Sequence, residues 1–135
     1  MDAISKRRVV VISVFLMRIS ILLALIGMAM GVAMGIKHDF ALAPAHAHLN
    51  LLGFVALFLF GLYYQAAPEA AASVLGRVQA WTAVVGAVIF PIGIAAEVLG
   101  EPTLKPLVVA GSMIVFAGTA LFAAVVFRHS PAHRA

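Results

Sequence analysis

The chain has 135 residues, 64% of them hydrophobic and only 10% charged, with a mean hydropathy of +1.14. Soluble domains run at about 45–50% apolar, so this composition excludes a soluble globular fold and marks an integral membrane protein. Nine basic and five acidic residues give a net charge of +4. The cations sit mostly at segment ends, which points to membrane topology and away from nucleic-acid binding. Without cysteine, disulfides, thiolate metal sites, iron–sulfur clusters and C-x-x-C-H haem attachment are also excluded.

A polar lead, Asp2 to Arg8, ends in Lys6, Arg7 and Arg8. It precedes an apolar run from Val9 to Ile36, interrupted by Arg18 and two serines. A secretory signal has an apolar region of about 7–15 residues, and this one has 28, so it is expected to stay as a first span. At about 1.5 Å per residue it would reach roughly 42 Å, longer than a hydrocarbon core of about 30 Å. It must therefore tilt or protrude on the cytoplasmic side, and Arg18 either snorkels to the inner interface or faces the bundle as a functional charge. The outer half sets Gly27, Gly31 and Gly35 on one face, a stripe that lets a neighbouring helix approach closely. Met30 and Met34 lie on another face, as filler or as soft ligands for copper or haem.

Lys37 to Ala45 is a loop containing His38 and Asp39, and Pro44 suits the first turn of the next helix. The second span is expected over 45–67, closed by Pro68 and Glu69 and followed by an alanine-rich loop with Arg77 as its cation. The third covers 78–99, with Trp81 near an interface and Pro91 as a kink that frees the carbonyl of Ala87. Glu97, Gly100, Glu101, Pro102, Lys105 and Pro106 form an acidic turn. The fourth span, 107–127, carries Gly111 and Gly118 one heptad apart, and Arg128, His129, His133 and Arg134 make the tail. Four spans with short connections give a single all-α domain, an antiparallel up-down bundle. Lys6, Arg7, Arg8, Arg77, Arg128 and Arg134 share one side against Lys37 and Lys105 on the other. The positive-inside rule then places both termini in the cytoplasm and the His46 end of the second span outside.

The segment His46 to Pro68, HAHLNLLGFVALFLFGLYYQAAP, puts two imidazoles at the mouth of an apolar helix. At about 100° per residue, His46 lies in line with Asn50, Gly53, Leu57 and Tyr64, and His48 on the far side with Leu52, Val55 and Leu59. Two such residues cannot ligate one metal from a regular helix. Either the helix begins at His48 with His46 hanging from the loop, or the two serve different neighbours. A purely structural role, with both rings hydrogen-bonded to Asp39 or loop carbonyls, is the alternative to ligation.

The same segment resembles the second transmembrane helix of subunit I in the haem–copper oxidase superfamily, chiefly its nitric-oxide-reductase and cbb-type branches. His48, Asn50, Leu51 and Leu52 match a His-x-Asn-Leu-Leu opening, and Tyr63, Tyr64, Pro68 and Glu69 match the close. It is also similar to the His-Ala-His helix of NnrS-type haem- and copper-containing membrane proteins, through His46, Ala47, His48, Gly53 and Phe54. The resemblance covers about 24 residues and implies a histidine near the outer face ligating a low-spin haem b. The opening implies His48 as that ligand, whereas counting back from the tyrosines implies His46. The oxidases carry their remaining ligands on later helices that this chain lacks, so a complete binuclear reducing centre is not expected, and of the two readings left open, enzyme or not, the resemblance leans to the second.

The resulting expectation is a small haem b protein of the bacterial-type inner membrane, in electron transfer, gas sensing or haem handling, and a homo-oligomer in the bilayer. His48 is the preferred axial ligand. The second is sought among His46, His38, Met34, Met113 or a histidine of another copy, with Asn50 beside them and Lys37 and Lys105 available to the propionates. His46 is either the second ligand of a neighbouring copy's haem or a hydrogen-bonding residue near the propionates. A copper or zinc site using His38, His46 and His48, with Met34 or Glu97, is the runner-up. A cofactor-free accessory subunit is the third reading, and a redox partner cannot be named.

Overall fold

The computed structural model describes residues 3–129, with side chains from Val11 onward. The fold is all-α, and four helices are long and apolar enough to cross a membrane. The first, Ala3–Lys37, is 35 residues and about 52 Å long by its rise, exceeding the bilayer core as the sequence requires. The second crosses from Ala43 to Ala66, the third is Val74–Val98 and the fourth is Pro106–Arg128. Large apolar side chains are exposed around the whole bundle, among them Leu22, Met28, Val32, Leu59, Val85, Val109 and Phe116. A surface that apolar is stable only against lipid, and the protein is a multi-pass membrane protein.

The spans start and stop for local reasons. Pro44 occupies the first turn of the second helix, as its missing N–H allows. Two helix ends on the side of the histidine pair close alike. His38 adopts a left-handed conformation at φ 52° while the Asp39 amide reaches back to the Met34 carbonyl at 3.2 Å, and Gly100, at φ 75°, precedes a matching bond from Glu101 to Ala96 at 2.9 Å. Both are glycine-type C-caps, a place where histidine is tolerated. His38 therefore serves as a backbone cap with an exposed side chain.

Two stretches differ from the sequence expectation. The alanine-rich loop is a one-turn helix, Pro68–Ala72, whose Ala70 and Ala71 are fully buried. It packs so closely that a methyl on Gly76 would collide with the Ala70 carbonyl. Ser73 then caps the third helix by accepting from the Gly76 amide at 2.9 Å, so that helix begins earlier than expected and takes in Arg77. As expected, the third helix runs through Pro91, whose buried ring forms part of a cavity wall.

The bundle is built from two tight pairs. The third and fourth helices meet along glycines: a methyl on Gly111 would lie 2.6 Å from the Phe90 backbone, and one on Gly93 at 2.6 Å from the backbone of Leu107 and Val108. The first and second helices meet where Gly61 faces Ser13 and Met17, and where Gly27 and Gly31 face the second helix. Arg18 is exposed on the outside of this pair, which fits snorkelling and not a bundle-facing charge. Toward the opposite end from the histidines, buried Tyr64 donates to Gln79 Oε1 at 2.7 Å. Gln79 Nε2 in turn lies 3.4 Å from the Gly118 carbonyl, so three helices share one polar lock.

Close backbone approach should make these glycines unequal. Gly111→Ala must push the third and fourth helices apart and is expected to cost about 1–3 kcal/mol. Gly35, which has nothing within 4 Å of an added methyl, should accept alanine with no loss or a gain of up to about 1 kcal/mol. Unfolding of both variants in the same detergent micelle checks this. Equal losses would contradict the seam.

Candidate functional site

The two histidines serve different neighbours. His46 Nδ1 donates to the Gly27 carbonyl of the first helix at 2.8 Å. A carbonyl can only accept, so the ring is held with its proton on Nδ1. Its Cε1 lies 3.0 Å from where a methyl on Gly31 would sit, so the absence of a side chain at Gly31 is what makes room for the ring. One turn on, Asn50 occupies the corresponding place over Gly27, where a methyl would lie 2.6 Å from its side-chain amide. Asn50 Nδ2 donates to the His46 carbonyl at 2.9 Å and also lies 3.5 Å from His46 Nε2. Two glycines on the first helix thus hold one imidazole and one carboxamide from the second.

His48 points to the other side. Its Nδ1 donates to the Pro44 carbonyl in its own turn at 2.8 Å, and its ring meets Phe90 of the third helix edge-on, centroids 5.0 Å apart. Nε2 then carries the lone pair and has no hydrogen-bond partner among the described residues. His46 bonds to the backbone of the first helix, and His48 to the Pro44 carbonyl, which belongs to the expected loop and which the structure places in the first turn of the second helix; neither ring bonds to Asp39.

Directly after His48 the helix widens. Leu49–Ala56 is π-helical, a geometry rare in proteins and frequent at functional sites. Asn50 supplies a local cause, since its side chain occupies the His46 carbonyl and competes with the regular backbone ladder there. Gly53, packed against Leu23, sits inside the same segment. The row predicted for a regular helix survives as a buried side running through Asn50, Gly53 and Leu57. Beyond the wide turns Tyr64 is buried in the same core as Leu57 and donates to Gln79 of the third helix.

The other candidate residues are dispersed. Met34 is buried beneath the Leu42 and Leu99 end of the bundle, and Met113 projects from the outer face of the fourth helix at 62% exposure. Lys105 is half exposed and pairs with Glu97 at 3.2 Å, a surface contact worth about 0–1 kcal/mol. Lys37 and Asp39 line a small cavity with Met34 at the same end of the bundle as Leu42 and Leu99, while Asp39 Oδ1 accepts from the Ala41 amide at 3.0 Å. His38, His46 and His48 do not converge, and among the described residues no three His, Cys, Asp or Glu side chains form a metal-binding group. His129 ends the fourth helix at the opposite face, and His133 lies outside the described residues.

In the sequence the glycine stripe and the histidine pair read as separate features, whereas Gly27 and Gly31 are the receptor for Asn50 and His46. Phe90 and Gln79 emerge only from the structure. A glutamine inside an apolar span is a usable signal for Gln79, and nothing in the sequence distinguishes Phe90 from its apolar neighbours. No family model, curated protein or solved structure matches the chain.

The division of roles predicts unequal stability effects. His46→Ala removes an interhelical bond and leaves a void between the first and second helices, and should cost about 1–3 kcal/mol. His48→Ala loses only a contact within its own turn and one aromatic edge, and should stay within about 0.5 kcal/mol. Thermal unfolding in micelles measures both, and a larger loss for His48→Ala would reverse the assignment.

Proposed function

We propose that the chain is a small haem b-binding protein of the bacterial cytoplasmic membrane, with His48 as its axial ligand near the outward end. The single observation behind this reading is the state of the His48 ring. Its Nδ1 is engaged by the Pro44 carbonyl, and Nε2 keeps a lone pair with no partner within the described chain. Fixing one ring nitrogen by a backbone acceptor is how ligating histidines are oriented and made more basic. The π-helical stretch beginning at Leu49 and the resemblance of His48, Asn50, Leu51 and Leu52 to the oxidase helix opening support the same residue.

The residues present fit one axial position. His46 is turned into the first helix, Met34 is buried elsewhere and Met113 faces outward, so none of them stands opposite His48 in the same chain. Each chain therefore offers one imidazole that would hold the haem, and a second copy or a diatomic gas would supply the remaining ligand. Bound haem b supplies a one-electron couple or a gas-binding iron. Electron transfer, gas sensing and haem handling are the roles this allows. A copper or zinc site is less well supported, because His38 is an exposed cap and His46 faces away from His48.

The test is the visible spectrum of the purified protein, oxidised and dithionite-reduced, for wild type and two variants. Wild type should show reduced haem b bands, His48→Ala should lose them, and His46→Gln, if folded, should retain them. Haem retained by His48→Ala would overturn the ligand assignment. A wild-type protein without haem after expression with ample haem supply would overturn the proposal and leave the accessory-subunit reading.

A further inference from the structure

Independently of haem, a second site lies between the first and third helices at the His46 end. A cleft of about 250 Å³ opens there with almost wholly apolar walls, including Leu23, Met30, Leu49, Pro91, Ile92 and Ala95. Beyond it, toward the helix ends, is a cavity of about 180 Å³ lined by Met30, Met34, Lys37, Asp39 and Leu99. Met30 borders both, so an apolar cleft and a cavity with a charged rim are neighbours along the first helix.

The rim specifies the occupant. Lys37 and Asp39 carry opposite charges into the same cavity without forming an ion pair with each other. Asp39 commits Oδ1 to the Ala41 amide and keeps a second oxygen. Ascending from the cleft, the chain passes Met30, Met34, Lys37 and then Asp39, about 10 Å along the helix from Met30 to Lys37. An apolar tail, then an anion, then a cation is the order of groups in a zwitterionic phospholipid. A primary ammonium can donate to the Asp39 carboxylate, and a quaternary one cannot.

The geometry points to a bound phosphatidylethanolamine-type lipid, with one acyl chain in the Leu49–Ile92 cleft, its phosphate at Lys37 and its primary ammonium at Asp39. The test offers the delipidated full chain an equimolar mixture of dioleoyl phosphatidylethanolamine, phosphatidylcholine and phosphatidylglycerol, read by native mass spectrometry. One phosphatidylethanolamine should be retained per chain, favoured over the choline lipid by roughly two- to fivefold, the ratio an exposed ion pair yields. Asp39→Asn, which keeps the acceptor for Ala41, should remove that preference. Lys37→Gln should weaken the ethanolamine and choline lipids alike. Ile92→Trp, placing bulk in the cleft from a half-exposed wall, should reduce retention of all three. Equal retention of the three lipids by wild type, or unchanged retention by Ile92→Trp, would mean annular lipid only and overturn the site. The wild-type competition decides even where a variant cannot be purified.

Discussion

A polar group inside a bilayer must find its partner within the protein, and here one imidazole is satisfied by another helix's backbone. The His46 bond to the Gly27 carbonyl fixes how close the first two helices stand, which is close enough only because Gly27 and Gly31 have no side chains. The same bond fixes the His46 tautomer and turns that face of the second helix toward the first. His48, two residues on, is thereby directed to Phe90 and the third helix. Bonds of this kind in membranes average only about 0.6 kcal/mol, so the interaction contributes more to register than to stability.

The remaining architecture divides the work between two kinds of seam. The third and fourth helices touch backbone to backbone along Gly93 and Gly111, a contact made by dispersion and shape alone. At the far end, the Tyr64 bond to Gln79 joins the two pairs and the Gln79 contact with the Gly118 carbonyl ties the third helix to the fourth, with Tyr64 and Gln79 fully buried. The aromatic cluster of Phe60, Tyr63, Tyr64 and Phe122 surrounds that lock. With one end of the bundle clamped in this way, the apolar cleft lies at the histidine end, between the first and third helices.

Much of the fold is legible in the sequence because membrane physics leaves few choices. Hydropathy and length alone locate the four spans, and Pro44 and Gly100 mark ends by rules that act over one turn. The helical period likewise separates His46 from His48. What the sequence conceals are interactions set by three-dimensional approach. The partner of His46 is a carbonyl nineteen positions away, and every residue has a carbonyl. The helical cap at His38 looks like a ligand because histidine is chemically versatile, while its backbone angle is what it contributes. The π-helical stretch escapes a fixed period of 3.6. Dispersal of Met34 and Met113 is equally a matter of placement, since thioether chemistry reads the same on a buried face as on a lipid-facing one.

The central claim is that His46 is held by the first helix while His48 keeps its Nε2 lone pair open. Nitrogen-15 NMR of the histidine-labelled protein in micelles, with the rings neutral, tests it by locating the ring protons. Both rings are predicted to carry the proton on Nδ1, with a coupling across the hydrogen bond from His46 to the Gly27 carbonyl. A proton on Nε2 of His46, or a His46 ring that averages freely between tautomers, would contradict the account.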